Sequence, residues 1–274
     1  LLPGIGREAG GAKRWVKLGF IGFQPSEFAG FFLIVYIADI LDRKQPVIRS
    51  FMQGFMPSLM ILGFSVLLIL LQPDLGSSVC ILTVGLIMMF VSGVNMAYFL
   101  PFLIPIIPIF YFLIFKVAYR LRRITSYLDP WSDTQGAGFQ IIQSFLALGS
   151  GGILGLGLGC SKQKLFYLPQ AHTDFIFSII GEEAGLIGTL SVVALFVAFV
   201  WLGIQISIKA KDLFGRFLSL GIITSIGLKA VINIAVSTGA IPTKGLPLPF
   251  ISYGGTALIF NIIAVAMLIN ISNS

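Results

Sequence analysis

Charged side chains are scarce in this chain: 11% of its 274 residues are Asp, Glu, Lys or Arg, against about 25% in an ordinary soluble domain. That shortage excludes a water-exposed globular surface of the usual kind. It excludes a disordered chain as well, because disorder needs low hydrophobicity and high charge density. Histidine occurs once and cysteine twice. Cys80 sits in an apolar run and Cys160 in a glycine-rich stretch, with no second Cys or His at ligand spacing beside either, so neither a disulfide framework nor a zinc site is readable. Acidic residues number only eleven, few enough that each can be weighed. The start, LLPGIGREAGGAKRW, also lacks an initiator Met, a basic leader and a following apolar stretch. It reads as neither a signal peptide nor a natural start, and further spans are expected upstream.

What the chain has is apolar length, with 57% of residues hydrophobic. A bilayer core needs about 20 mostly apolar residues as helix. Runs of that kind recur near 27–42, 51–72, 77–94, 97–118, 175–206, 214–239 and 252–271. The expected fold is therefore all-α, a polytopic transmembrane helical bundle with seven spans in this chain. Asp39 and Asp42 shorten the first span, and Pro101, Pro105 and Pro108 interrupt the fourth, a pattern tolerated in lipid when neighbouring helices satisfy the freed carbonyls. The formal net charge of +7 points, in a membrane protein, to anionic headgroups or an anionic lipid-linked substrate rather than to nucleic acid.

Most connections are short, but the one from Arg120 to Thr173 exceeds fifty residues, and long loops in compact folds tend to be functional. Within it FQIIQSFLAL is too short to span and is expected at the interface or dipping back into the bundle. GSGGILGLGLG looks like a phosphate-binding loop only superficially, since no strand precedes it and no Lys-Ser/Thr closes it. An odd number of spans puts the long loop on the side of residues 1–26. Charge leaves the orientation open. Arg43, Lys44, Arg49, Lys209, Lys211 and Arg216 crowd two short loops, while a larger number of Lys and Arg lie on the opposite side.

Among the acids, Asp42 and Asp212 read as solvated partners of neighbouring Lys and Arg, and Glu8, Asp129 and Asp133 as caps or turn residues, the last two in a turn around Pro130. His172, Thr173 and Asp174 differ in kind, because they stand where the long loop re-enters the membrane as a helix. Two readings are open there: a helix N-cap, or a carboxylate half shielded by lipid and able to act as a general base. Glu182 and Glu183 lie roughly 12 Å deeper at about 1.5 Å per residue, where acids face a bundle interior with a partner. Helical phase puts Glu182 nearer the face of Asp174, and Lys229 is the obvious deep cation.

Six blocks then occur in order along nearly the whole chain: GAKRW at 11–15, QPSEF at 24–28, QPDLGSS at 72–78, LDPWSDTQGAGFQIIQS at 128–144, YLPQAHTDFIFSIIGEE at 167–183 and PTKGLPLPFISYGG at 242–255. On these the chain resembles the SEDS family (shape, elongation, division and sporulation), membrane glycosyltransferases that polymerise peptidoglycan. The SKQKLFYLP and PTKGLPLP variants look more like its division branch, FtsW, than its elongation branch, RodA.

The resemblance implies a single transmembrane domain over 1–274 that lacks N-terminal spans of a fold of about ten, with 120–174 as a large extracytoplasmic loop. It implies a bacterial cytoplasmic membrane protein at the division site whose active site faces outward. The essential aspartate of the family corresponds to Asp174, acting on lipid II without an organic cofactor. Lys13, Arg14, Glu27, Asp74, Arg122, Arg123, Lys162, Lys164, His172, Thr173 and Ser252 are the expected substrate-binding residues, with Glu182 and Lys229 supporting them. A divalent cation, Mg or Mn, held by Asp174 with Asp74 or Asp133 is a further expectation. Partners implied are a class B penicillin-binding transpeptidase, other division proteins and membrane lipid. The competing readings are a lipid II flippase, an elongation-branch polymerase and a scaffold that only anchors a transpeptidase.

The chain departs from the family at three positions: Gly30 replaces a common Lys, Gln170 the Glu of LPE, and Lys229 a common Gln. Lys229 is expected to supply the charge that position 30 lacks, pairing with Glu27 or Glu182.

Overall fold

A computed structural model describes residues 6–9, 12–18, 21–72, 74–101, 104, 108, 111, 115, 118–134, 136 and 138–273. Its described residues are predominantly helical. Four helices are long and apolar enough to cross a membrane, Phe51–Leu70, Ile176–Lys209, Leu213–Ser237 and Gly255–Asn273, and Leu75–Val91 is a shorter apolar helix. These coincide with expected spans. The expected span at 97–118 falls largely outside the described residues.

The chain divides into two compact units, one made of residues 1–98, 199–228 and 254–274, the other of 99–198 and 229–253. The first unit opens with a feature absent from the all-helical expectation: three short antiparallel strands, β1 (Gly6–Ala9), β2 (Ala12–Leu18) and β3 (Ile21–Phe23), in the order β1-β2-β3. Lys17 pairs with Gly22 and Arg7 with Trp15. Trp15, Val16, Ile21 and Phe23 are good strand formers, but the segments are too short to show a period, so the stretch reads as loop.

Helix α1 (Pro25–Arg43) follows, with Pro25 at its first position, where a missing N–H costs nothing. α2 (Met56–Leu70) and α3 (Leu75–Val91) pack beside it, burying Ile37, Ala38, Leu41, Leu62, Met88 and Met89. Gly30 explains one departure from the family pattern. It is buried, and a Cβ there would already lie 3.2 Å from Ile81 Cδ1, so a larger side chain fits only if Ile81 gives way.

The second unit holds α4 (Ala118–Leu128), α5 (Phe139–Gly151), the glycine-rich segment and parts of the two longest helices, α6 (Ile176–Lys209) and α7 (Leu213–Ser237). The last helix, α8 (Gly255–Asn273), belongs to the first unit. The core of the second unit gathers Leu168, Ala171, Phe175, Ile179 and Val236, with Phe177, Ala230 and Leu248 as a second cluster. α5 is the short apolar stretch of the long loop. It is docked by Ser144, whose buried hydroxyl lies 2.6 Å from the hydroxyl of Ser178 and donates to the carbonyl of Ser237 at 2.6 Å.

α6 is interrupted at Gly185, with φ 64° and ψ −161°, a region that glycine alone occupies readily. The glycine-rich segment fills the break. Leu156 and Gly157 donate N–H groups to the carbonyls of Glu182 and Glu183 at 2.9 and 3.0 Å. Leu186 and Ile187 donate to the carbonyls of Gly152 and Ile153 at 2.9 and 3.3 Å. The orphan groups at both broken ends are thus satisfied by chain rather than water, as a bilayer environment requires. GGILGLGLG is a backbone splint, which agrees with its rejection as a phosphate loop.

Candidate functional site

Asp174 stands two residues before the first residue of α6, at the end of a tight turn. The turn is made by Gln170, at φ 59°, whose carbonyl accepts the N–H groups of Thr173, Asp174 and Phe175 at 3.1, 3.1 and 3.3 Å. Its side-chain oxygen accepts the Thr173 hydroxyl at 2.9 Å. Gln170 therefore organises the turn, a task an uncharged amide performs without adding an acid beside Asp174.

Asn233 of α7 and two direct bonds tie this turn to the segment after α7. Asn233 Nδ2 donates to the carbonyl of Asp174 at 2.9 Å and to that of Leu246 at 2.8 Å. Ser252 accepts from the N–H of Leu248 at 2.7 Å and donates to the carbonyl of Thr173 at 2.5 Å. Tyr253 N–H donates to the carbonyl of His172 at 2.8 Å. The PTKGLPLPFISYGG and AHTD blocks, some seventy residues apart in sequence, form one structure. The Asp174 carboxylate is partly exposed within it and lies over Gly245.

α4 contributes from the long loop. Arg123 donates to the carbonyl of Thr243 at 3.0 Å and the Tyr127 hydroxyl to that of Ala240 at 2.8 Å. Of the expected cations, Arg122 and Lys162 are exposed, whereas Lys164 is paired with Glu183 at 2.6 Å. Lys13 and Arg14 lie on β2 in the first unit.

Glu182 is buried and accepts from the Ser161 hydroxyl and from the N–H groups of Lys162 at 3.0 Å and Gln163 at 3.3 Å. Depth in its span makes Lys229 the expected partner. The contacts of Glu182 go instead to the loop, because the interruption at Gly185 brings 161–163 against the first half of the helix. Lys229, also in the second unit, has an interaction of its own.

Asp74 is the N-cap of α3: its carboxylate accepts Ser77 N–H at 3.1 Å and the Ser77 hydroxyl at 2.8 Å, while the Ser78 hydroxyl donates to its carbonyl at 2.7 Å. That accounts for each polar residue of DLGSS. Glu27 is buried in the first turn of α1, in the same unit. Asp133 ends the turn Pro130–Asp133, as its neighbourhood to Pro130 suggested. Asp212 accepts from Gly215 N–H at 3.3 Å at the start of α7, a cap rather than an ion pair. Asp133 and Asp174 belong to the second unit and Asp74 to the first. Within each unit no three Asp, Glu, His or Cys side chains converge among the described residues.

Sequence reasoning missed Asn233, Gly245 and the Arg123 contact to Thr243. A lone Asn in the apolar run AVINIAV was the available signal, since a buried amide in a span needs partners.

The arrangement defines a class: a multi-pass helical membrane protein with a carboxylate fixed by backbone bonds at the mouth of a spanning helix. The chain belongs to the FtsW, RodA and SpoVE family, whose model, described as a cell cycle protein, matches residues 1–274. It is 50% identical over 271 residues to a probable peptidoglycan glycosyltransferase FtsW of Geobacter sulfurreducens (strain ATCC 51573 / DSM 12127 / PCA), covering 99% of this chain and 73% of that protein. It is 45% identical over 272 residues to stage V sporulation protein E of Bacillus subtilis (strain 168), covering 99% and 74%. Among solved structures, a chain from work on how a peptidoglycan synthase complex coordinates polymerization and crosslinking superposes with a TM-score of 0.79 at 28% identity, covering 98% of this chain and 76% of that one. The rod shape determining protein RodA of Thermus thermophilus superposes with a TM-score of 0.68 at 26% identity, covering 98% and 72%.

Proposed function

We propose that this chain is a peptidoglycan glycosyltransferase that joins lipid II disaccharides into glycan strands, with Asp174 as its general base. The relatives named as peptidoglycan glycosyltransferases, at about 50% identity over almost the whole chain, support the activity. The observation that carries the assignment of the base is the anchoring of Asp174, whose backbone and neighbours are held by Asn233, Ser252 and Tyr253 while its carboxylate stays partly exposed. A base fixed in this way can meet a sugar hydroxyl without reorganising.

In the reaction the acceptor hydroxyl oxygen attacks the donor anomeric carbon and its proton passes to Asp174. The bond from that carbon to pyrophosphate breaks, with inversion, and undecaprenyl pyrophosphate departs. This leaving group needs no protonating acid, unlike the alcohol of glycoside hydrolysis, but its developing charge needs cations. Arg122 and Lys162, both exposed and in the same unit as Asp174, are the residues assigned to it. The reaction takes place at the outer face of the cytoplasmic membrane, at the division site, beside a class B penicillin-binding transpeptidase.

The test uses the full-length protein with its transpeptidase in liposomes, supplied with lipid II, and Asp174→Asn beside it. Polymer from the unmodified protein and none from the variant is the expected result. Polymer from both removes Asp174 from the chemistry. Polymer from neither, with lipid II crossing the bilayer, makes the protein a flippase.

A further inference from the structure

Asn233 is 1% exposed, on the apolar helix α7. Both of its partners, the carbonyls of Asp174 and Leu246, are acceptors, so only the NH2 end of the carboxamide can face them. Its Oδ1, at the other end, is buried without a hydrogen-bond partner. An amide kept with half its capacity unused costs stability at a site where an apolar side chain would pack. What it provides is a bridge that fixes residue 174 to residue 246.

Gly245 lies beside that bridge. It is exposed, and its backbone is outside the left-handed region. Neither conformation nor burial therefore demands glycine. A Cβ at this position would lie 2.9 Å from Asp174 Oδ2, 3.6 Å from Cγ and 3.7 Å from Oδ1, and these are its three nearest atoms. Any side chain there would have to displace the carboxylate.

We propose that Asn233 and Gly245 are positioning residues for glycosyl transfer: Asn233, by bridging the carbonyls of Asp174 and Leu246, holds the Asp174 carboxylate in the space left by the missing side chain of Gly245. The inference rests on Asp174 as the base. Neither residue gives or takes a proton in the reaction. Each sets the approach of the carboxylate to the acceptor hydroxyl, and an error of about 1 Å in such an approach can cost about 100-fold in rate.

The experiment uses the full-length protein with its transpeptidase in liposomes, measuring kcat and KM for lipid II alongside the melting temperature. Gly245→Ala adds one methyl against a side-chain tip that can move, so the protein is expected to fold and melt within a few degrees of the unmodified chain. Asn233→Asp keeps size and shape but turns oxygen toward two carbonyls, and Asn233→Ala leaves those carbonyls bare. The expected result is a fall in kcat of about 100-fold in Gly245→Ala and in each folded Asn233 variant, with KM changed less than about threefold. A kcat equal to that of the unmodified chain in Gly245→Ala or in a folded Asn233 variant overturns the proposal, as does a rise in KM alone. If neither Asn233 variant folds, Gly245→Ala decides. Asp174→Asn separates the two readings: active Asp174→Asn removes the base itself, whereas inactive Asp174→Asn beside fully active Gly245→Ala removes only the positioning.

Discussion

Replacing Gly185 by alanine should unfasten the glycine-rich segment from the interruption in α6. The backbone at 185 has φ 64° and ψ −161°, a region that costs a residue with a Cβ about 1–3 kcal/mol. The new methyl would also sit 2.5 Å from the carbonyl oxygen of Ile153, so the segment must move. Its movement threatens four backbone bonds, from Leu156, Gly157, Leu186 and Ile187, each with a net value of about 1 kcal/mol. With all four bonds lost the expected cost is therefore roughly 5–7 kcal/mol, with faster amide exchange at those four residues and new protease sensitivity between 152 and 164. Gly159→Ala is the matched control. Residue 159 has φ 84° and nothing within 4 Å of the added Cβ, so only the backbone cost of about 1–3 kcal/mol applies. Thermal unfolding in detergent and hydrogen exchange read both variants. Equal destabilisation by Gly185→Ala and Gly159→Ala, or unchanged exchange at 156, 157, 186 and 187, would refute the splint.

Two further perturbations follow from other contacts. Glu182→Ala strips Ser161, Lys162 and Gln163 of their shared acceptor. It should cost about 3 kcal/mol or more, since a buried hydroxyl and two part-buried N–H groups lose a charged partner; unfolding in detergent measures it, and a loss below about 1 kcal/mol would show that water replaces the carboxylate. Asp74→Ala removes the cap of α3, with an expected loss of about 1 kcal/mol that Asp74→Ser largely restores. Equal melting of the two variants would show that capping is not its role.

The spans and the position of Asp174 were legible because they depend on local quantities. Runs of apolar length located the helices at 25–43, 75–91, 176–209, 213–237 and 255–273, and an acid at the edge of such a run is conspicuous in a chain with so few charges. The strands at 6–23 were not legible, because segments of three to seven residues carry no usable period. Glu182 is legible as a deep acid needing partners, and depth points to Lys229, but the partners at residues 161–163 are brought to it only by the folded loop.

By itself the sequence determined that this is a helical membrane protein with a long polar loop, and which carboxylate stands where that loop enters the bilayer. Composition and the length of apolar runs suffice for that, since a bilayer leaves a chain few ways to satisfy its backbone. Only the tertiary structure decided that Gly151–Gly159 mends a broken helix, that Asp74 is a cap, and that Asn233 and Gly245 frame Asp174 from segments sixty to seventy residues away. Each of these is a hydrogen bond or a close approach between residues distant in the chain. Such pairings are set by how the helices and loops pack, which no local pattern of residues encodes.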